Sequence, residues 1–394
     1  MSNETLNKVI SSIYEVNVLV GNINITDYFS FQECNIYESI ESPIPYCEIG
    51  FVFPMGFINS NPELLADGTK ITIKIKTVDD FKEFSIDESY VFRLSGISNI
   101  KIQYPFASLV MYGIFDCYKI FEDGNKYNGN VTSSQLINNI ANDLELIPNI
   151  DTTDDKQLWV AGEKNTRDFI SYVCKHGYSS ETSGMFWAID RNRNLLYKDI
   201  SNVFDSSSNI RDFKAGRGIS NDNVAFYSDI ETDIENGENN LKHSGYGGSD
   251  FYFDLLSYDW KEAAAKKVLA CNNSLNINVE LSKGLNSSWP GFDFGNLHPK
   301  YYQASRQNTR VLATFATVFD IKCQFLQKFN LGEVYNVTYE YLKGENGNTL
   351  DISSFNAKAI VKSIQTRITQ NGVGCLLKLT AQGLNFENNT GSHY

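Results

Sequence analysis

Residues 157–200, QLWVAGEKNTRDFISYVCKHGYSSETSGMFWAIDRNRNLLYKDI, carry the signals for a strand, a helix and a β-hairpin in succession. Leu158, Trp159 and Val160 make a short apolar strand. Asn165, with Asp168 three residues later, supplies an N-cap, because a side-chain oxygen there satisfies N–H groups that lack a partner in the first helical turn. Phe169, Ile170, Val173 and Cys174 fall on one stripe of the helix, and Gly177 offers a left-handed stop. Residues 185–189 and 195–198 then form two strands joined by a polar loop at 190–194. No part of this unit requires a catalytic group.

Towards the N-terminus, Ser133 or Ser134 can cap a helix whose Leu136, Ile137, Ile140, Ala141 and Leu144 share one face, with Pro148 ending it. Residues 124–130 are polar and rich in Gly and Asn, which reads as a linker. Earlier the period is two. Tyr14, Val16, Val18 and Val20, then Ile71, Ile73 and Ile75, alternate with other residues as in half-buried strands, and residues 99–103 alternate again. Residues 108–115 are apolar enough for a strand covered on both faces. Several short strands without intervening helices imply an antiparallel barrel or sandwich.

Downstream, residues 201–299 hold an acidic run at Asp229, Glu231, Asp233, Glu235 and Glu238, a turn-rich patch at Gly245, Gly247 and Gly248, and helix composition over 260–271, which together read as a loop-rich insertion. Residues 301–312 suit another helix. Strand alternation returns at 314–323, with Phe315, Thr317, Phe319, Ile321 and Cys323 on one face. A final hairpin pairs 359–368 with 373–381 around Thr369-Gln370-Asn371-Gly372, whose Asn-Gly pair accepts the positive φ angles of a type I′ turn.

Composition excludes some functions. Acidic residues number 47 against 34 basic ones, a net charge of -13, which opposes non-specific binding to nucleic acid or anionic membrane. The most apolar stretch, 50–58, is interrupted by Pro54 and Gly56 and falls far short of the roughly 20 residues a spanning helix needs. Glu4 stands where a secretory signal has its basic region. Seven dispersed cysteines, an odd number, imply reduced buried thiols and folding in cytoplasm.

Signals for chemistry are weak. His176, His243, His298 and His393 are far apart, there is no C-x-x-C pair, and no nucleophile elbow or phosphate-binding loop occurs; Gly216-Arg217-Gly218 lacks the third glycine of a dinucleotide fingerprint. Cys174 and His176 lie two apart on the expected helix and face different directions, giving a core thiol and an exposed imidazole. The acidic run lacks the order of a calcium loop and reads as a solvated loop. Asp154 and Asp155 would imitate a glycosidase pair only at a suitable carboxyl separation. Trp159 and Trp187 could stack on sugars, but alternating strands make them core. No catalytic, cofactor-binding or metal-ligating residue is assigned, and no cofactor is expected.

Trp159, Ala161, Thr166, Asp168, Phe169 and Ile170 around the short helix, followed by Phe186-Trp187, Ile189-Asp190-Arg191-Asn192 and Asn194-Leu195-Leu196-Tyr197 in the hairpin, resemble the tail hub proteins of contractile-tailed bacteriophages. That family is similar to phage late control proteins and to the base of the type VI secretion spike. The run through Ala66-Asp67-Gly68-Thr69 into 70–75, and that through Leu331-Gly332-Glu333 into the last hairpin, resemble its two barrel-like halves. The resemblance implies a mainly β, α+β chain with two tail-tube-like antiparallel β-barrel domains, an inserted α+β domain and a loop-rich insertion. Residues 1–124 would be the first barrel, 125–200 the α+β domain, 201–313 the start of the second barrel plus the insertion, and 314–394 the rest of that barrel and a C-terminal tail.

The same resemblance implies a non-enzymatic baseplate hub. A homotrimer would present a pseudo-sixfold ring to a sixfold tail tube and threefold symmetry to a central spike, with baseplate wedge or tape-measure proteins as further partners. The genome would pass through the lumen without specific binding, and the chain would reside in the virion tail baseplate after assembly in the bacterial host cytoplasm. Two alternatives belong to other classes: a tail-associated cell-wall hydrolase, for which only 201–299 has room, and a glycan-binding attachment module.

Overall fold

The computed structural model describes residues 14–28, 30–77, 87–180, 183–205, 210–215, 224–227, 229–234, 249–254, 258–264, 287–293, 317–323, 329–346, 349–369, 372–381 and 385–387. The first third is a run of strands: β1 (Tyr14–Val20), β2 (Ile23–Asn24), β3 (Ser30–Ser39), β4 (Tyr46–Pro54), β5 (Lys70–Thr77), β6 (Asp87–Gln103) and β7 (Phe106–Phe115). They pair antiparallel in the order β2-β1-β5-β6-β7-β4-β3. Period two decides which face is buried: Ile71, Ile73 and Ile75 of β5 and Cys47, Ile49, Phe51 and Phe53 of β4 all point into the core. β7 alternates in the same way rather than being covered on both faces, because its apolar run meets the core on one side only. Residues 99–103 differ from a half-buried strand, since Ile100 and Ile102 are exposed.

The α+β unit follows: β8 (Gly129–Val131), α1 (Ser133–Asp143), β9 (Ile147–Ile150), β10 (Gln157–Trp159), α2 (Thr166–His176), β11 (Met185–Ile189) and β12 (Asn194–Asp199). Phe169, Ile170 and Val173 of α2 are buried, as is Trp187 of β11, whose Nε1 donates to Ser171 Oγ at 3.2 Å. Residues 124–130 are no linker. Gly124 N donates to Lys164 O, and a Cβ on Gly124 would lie 3.0 Å from that carbonyl and 3.2 Å from Phe169 Cβ, so the segment is packed against the start of α2. Thr132, not Ser133 or Ser134, caps α1 in a reciprocal box with Gln135. Ser133 is instead buried, its N–H donating to Asp155 Oδ1 at 2.8 Å.

Two helix stops also differ from the sequence reading. α1 ends at Asp143, and the chain reverses through Glu145 at φ 56°; Pro148 sits in β9, an edge strand that tolerates its missing N–H. Gly177 is extended, with φ -69° and ψ 147°, so it is no left-handed cap. A Cβ there would collide with Tyr197 Oη, and close packing is what calls for glycine.

After a short helix at Ile200–Asp205 the described strands are β13 (Arg211–Ala215), β14 (Val224–Tyr227), β15 (Asp229–Ile234), β16 (Ser249–Asp254), β17 (Asp259–Ala264), β18 (Ser287–Asp293), β19 (Thr317–Cys323), β20 (Val334–Asn346), β21 (Thr349–Thr369), β22 (Gly372–Ala381) and β23 (Asn385–Glu387). The stretch read as a loop-rich insertion therefore contributes strands. The acidic run begins as β15 rather than as a solvated loop, and Trp260 starts no helix but lies in β17, which pairs with β16. Cross-strand pairing overrides the weak helix propensity of 260–264. The helix expected at 301–312, Phe315, His243, His298 and His393 lie outside the described residues. In the final hairpin Thr369 pairs with Gly372, so Gln370-Asn371 forms the connection and lies outside them too.

Fifteen strands join in one mainly antiparallel sheet in which a pairing order occurs twice. β1-β5-β6-β7-β4-β3 is matched by β13-β20-β21-β22-β19-β15. Detail repeats as well. Gly68, at φ +76°, donates to Leu94 O and Leu94 N donates to Thr69 O; Gly332, at φ +71°, donates to Val361 O and Val361 N donates to Glu333 O. Each long strand shifts register just after that point, between Leu94 and Gly96 in β6 and between Val361 and Ser363 in β21. One pairing departs from the repeat: β13 runs parallel to β20, whereas β1 is antiparallel to β5.

Candidate assembly interface

The α+β unit is fastened to the large sheet through Arg191, at the tip of the β11–β12 hairpin. Its N–H donates to Glu38 Oε1 of β3 at 2.8 Å, and its guanidinium lies 3.8 Å from Glu38 Oε2 and 3.5 Å from Glu88 Oε1 of β6. Nη2 donates to the carbonyl of Phe329, just before β20. One side chain thus ties three segments far apart in sequence. Burial pushes the Glu38 carboxyl up to about 7 against the pull of Arg191. Burial opposes the charge on Arg191 too, but Glu38, Tyr90 and Glu88 more than hold it in place. Gly332 completes the seam, since a Cβ on it would meet the Phe186 ring at 2.8 Å.

The sequence candidates for chemistry are held apart. Cys174 is buried and its thiol is pushed up by that burial, which disfavours a thiolate. His176 is half-buried rather than exposed: its Nδ1 lies 2.8 Å from Tyr172 O, its ring centre lies 4.5 Å from that of Tyr172 at a tilt of 50°, and burial lowers its pKa to about 4. Asp155 is buried and accepts from Ser133 N and Tyr178 N, while its neighbour Asp154 is exposed, so the two carboxyls face different surroundings. Trp159 and Trp187 are core residues. Among the described residues no three His, Cys, Asp or Glu side chains gather as metal ligands, and no helix is long and apolar enough to cross a membrane. An open cleft of about 290 Å³, lined by Ser42, Tyr46, Ser95, Tyr112 and Arg167 among others, brings no acid–base pair together.

Exposed apolar surface concentrates elsewhere. The β6–β7 hairpin projects Ile100, Ile102, Tyr104 and Phe106, exposed by 61%, 65%, 88% and 49%. β5 pairs with β6 only over 87–93, and among the described strands none pairs with that edge of β6 beyond Arg93. β15 pairs with β19 along one edge, and no described strand covers its other edge. Open backbone N–H and C=O groups beside exposed isoleucines form a template for strand addition. The alternation at 99–103 was visible in the sequence, but the face left uncovered was not.

No family model and no curated protein matches this chain. Solved structures do. A tail protein from Neisseria meningitidis MC58 superposes with a TM-score of 0.54 at 8% identity, covering 93% of this chain and 96% of that one. The 43 kDa tail protein of prophage MuSo2 from Shewanella oneidensis gives 0.53 at 9% identity, covering 93% and 98%. A component of the E. coli type VI secretion system, described as structurally similar to the T4 tail proteins gp27 and gp5, gives 0.41 at 8% identity over 90% of this chain and 74% of that one. The fold of this chain is that of these two tail proteins.

Proposed function

We propose that this chain is a structural hub of a contractile phage tail, forming a trimeric ring between a sixfold tail tube and a threefold central spike. The observation that carries the proposal is the repeated strand order within one chain, on a fold shared end to end with two tail proteins. Two similar sheet units per chain turn three chains into six units around one axis, which reconciles sixfold and threefold neighbours. The genome would pass through that ring unbound, and a chain of net charge -13 suits a conduit that must not trap phosphate. The α+β unit, locked by Arg191 to both repeats, would fix their relative placement. Catalysis is no part of the proposal.

Mass photometry of the purified protein and electron microscopy of assembled particles test it. Closed trimers with six similar units around a channel are expected. A chain that stays monomeric in the particle, or one that clears peptidoglycan suspensions, would overturn the hub reading.

A further inference from the structure

The repeat supplies a register for the contact between copies. β21 continues past its pairing with β20, and over Ser363–Thr369 its free edge is taken by β3 of the first repeat: Ser363 opposes Ser39, Gln365 opposes Tyr37, Arg367 opposes Asn35 and Thr369 opposes Glu33. β6 is the counterpart of β21. Beyond Leu94, which still bonds Thr69 and Gly68, it has passed β5, and no described strand fills on β6 the edge that β3 fills on β21. β15 is the counterpart of β3, and no described strand covers its matching edge either. One chain therefore holds one formed junction and the two unmatched halves of a second.

We infer that β15 of one copy adds antiparallel to β6 of the next, in the register of the internal β3–β21 junction; this rests on the ring reading above. Pairings already made within the chain fix the equivalence. Gly113 opposes Leu94 and Cys47, just as Leu379 opposes Val361 and Phe319. Ile36 opposes Cys47 as Thr232 opposes Phe319, which sets β3 against β15. Ser98 opposes Val110 as Gln365 opposes Leu376, so Ser98 stands where Gln365 stands and faces Asp233 of the neighbour. β6 then carries an extra residue between Ser98 and Lys101, and the match resumes: Lys101 opposes Ser108 as Arg367 opposes Gly374, and Gln103 opposes Phe106 as Thr369 opposes Gly372. Ile102 is thus the counterpart of Ile368 and would face Ile230 of the neighbour, and Gln103 would face Asp229.

Two side-chain features of the internal junction recur in the open one. Ile368 is 1% exposed opposite Cys34, whereas Ile102, paired with Ala107 on one side and with no described strand on the other, is 65% exposed and would be covered by Ile230. Arg367 pairs with Glu33 at 3.0 Å across the internal junction. The equivalent residues are Lys101 and Asp229, again a cation on the long strand and an acid on the edge strand. Among the described residues Asp229 and Glu231 share one cation, Lys322, at 3.0 and 3.3 Å, so this edge carries negative charge that suits a second cation. The contact is heterologous, one edge on each of two different surfaces, as a closed ring requires.

Cross-linking tests the register, because directly opposed residues of an antiparallel pair share a face with close β-carbons. Full-length protein carrying Ser98→Cys with Asp233→Cys, and separately Gln103→Cys with Asp229→Cys, is oxidised and run on non-reducing gels beside the four single variants. Disulfide-linked dimers and trimers from both double variants, absent from the single ones, are expected. Trimers by mass photometry without cross-links from either pair would overturn the strand junction while leaving the hub intact. Monomers throughout, with the parent's unfolding midpoint retained, would overturn the hub reading itself.

Discussion

Replacing Arg191 with Leu removes the cation that joins the α+β unit to both repeats. Its side chain is 6% exposed, and the substitution leaves Glu38 and Glu88 without their shared cation and the Phe329 carbonyl without its donor, while the main-chain N–H to Glu38 stays. Removing one partner of a buried pair strands the other, so the loss should be about 3 to 5 kcal/mol. It should also depend on pH with a definite sign. Glu38 sits at about 7 in the folded chain because burial outweighs Arg191, and losing Arg191 drives it higher. A carboxyl raised above its unfolded value costs nothing while both states are protonated and destabilises increasingly as pH climbs through the folded pKa. The penalty at pH 8 should therefore exceed that at pH 5. Urea unfolding followed by fluorescence of the buried Trp159 and Trp187 reports it, and Arg191→Leu with Glu38→Leu should regain most of the loss. An unfolding midpoint equal to the parent's at pH 8, or a larger penalty at pH 5, would refute the role assigned to this cluster.

Three further outcomes are expected. Phe169→Ala should cost about 3 to 5 kcal/mol through transfer and cavity terms, read as a lowered thermal midpoint, since Phe169 is fully buried beside Gly124 and Tyr172. Ile102→Glu should leave the monomer's unfolding midpoint within about 0.5 kcal/mol of the parent but prevent trimer formation in mass photometry. His176 has a folded pKa depressed to about 4, so it favours folding above its unfolded value and withdraws that support as pH falls from 6.5 towards 4; His176→Gln should flatten the stability curve over that range.

The sequence made the α+β unit legible because each of its signals is local. Asn165 caps α2, Phe169, Ile170 and Val173 line one stripe, and the hairpin strands follow within a few residues. Its errors were local too, as when Thr132 outcompeted the serines beside it and Tyr197, 20 residues beyond Gly177, forced that glycine for want of space. Period two announced β1 and β5. What stayed hidden were relations of long range: that β3 pairs with β21, that Arg191 reaches Glu38 and Phe329, and that β6 outruns β5 to leave Ile102 uncovered. Pairing partners separated by some 300 positions have no local signature, and an apolar alternation is the same whether its face is filled by the chain itself or by another copy.

The two repeats share a register but hardly a residue, and one buried patch spanning four strands explains how that is possible. In the first repeat the patch holds Ile71 opposite Phe92 and Gly113 opposite Cys47; in the second the equivalent residues are Tyr335 opposite Ala359 and Leu379 opposite Phe319, and all eight are buried. Large and small residues have exchanged places, so each patch fills its space by a different arrangement, which close packing permits when total volume is kept. Gly113 is the point at which this can be tested. A Cβ there would lie 2.8 Å from Cys47 Sγ, 3.0 Å from Phe92 Cβ and 3.2 Å from Ile71 Cδ1, so Gly113→Ala should overpack the first repeat by about 1 to 3 kcal/mol. Cys47→Ala removes the nearest of those atoms and opens a small void of its own. Combined, the two substitutions should cost less than the sum of their separate effects by at least about 0.5 kcal/mol in a double-mutant cycle. Strict additivity would mean that the two sites do not share space, and the exchange of volumes between repeats would lose its physical basis.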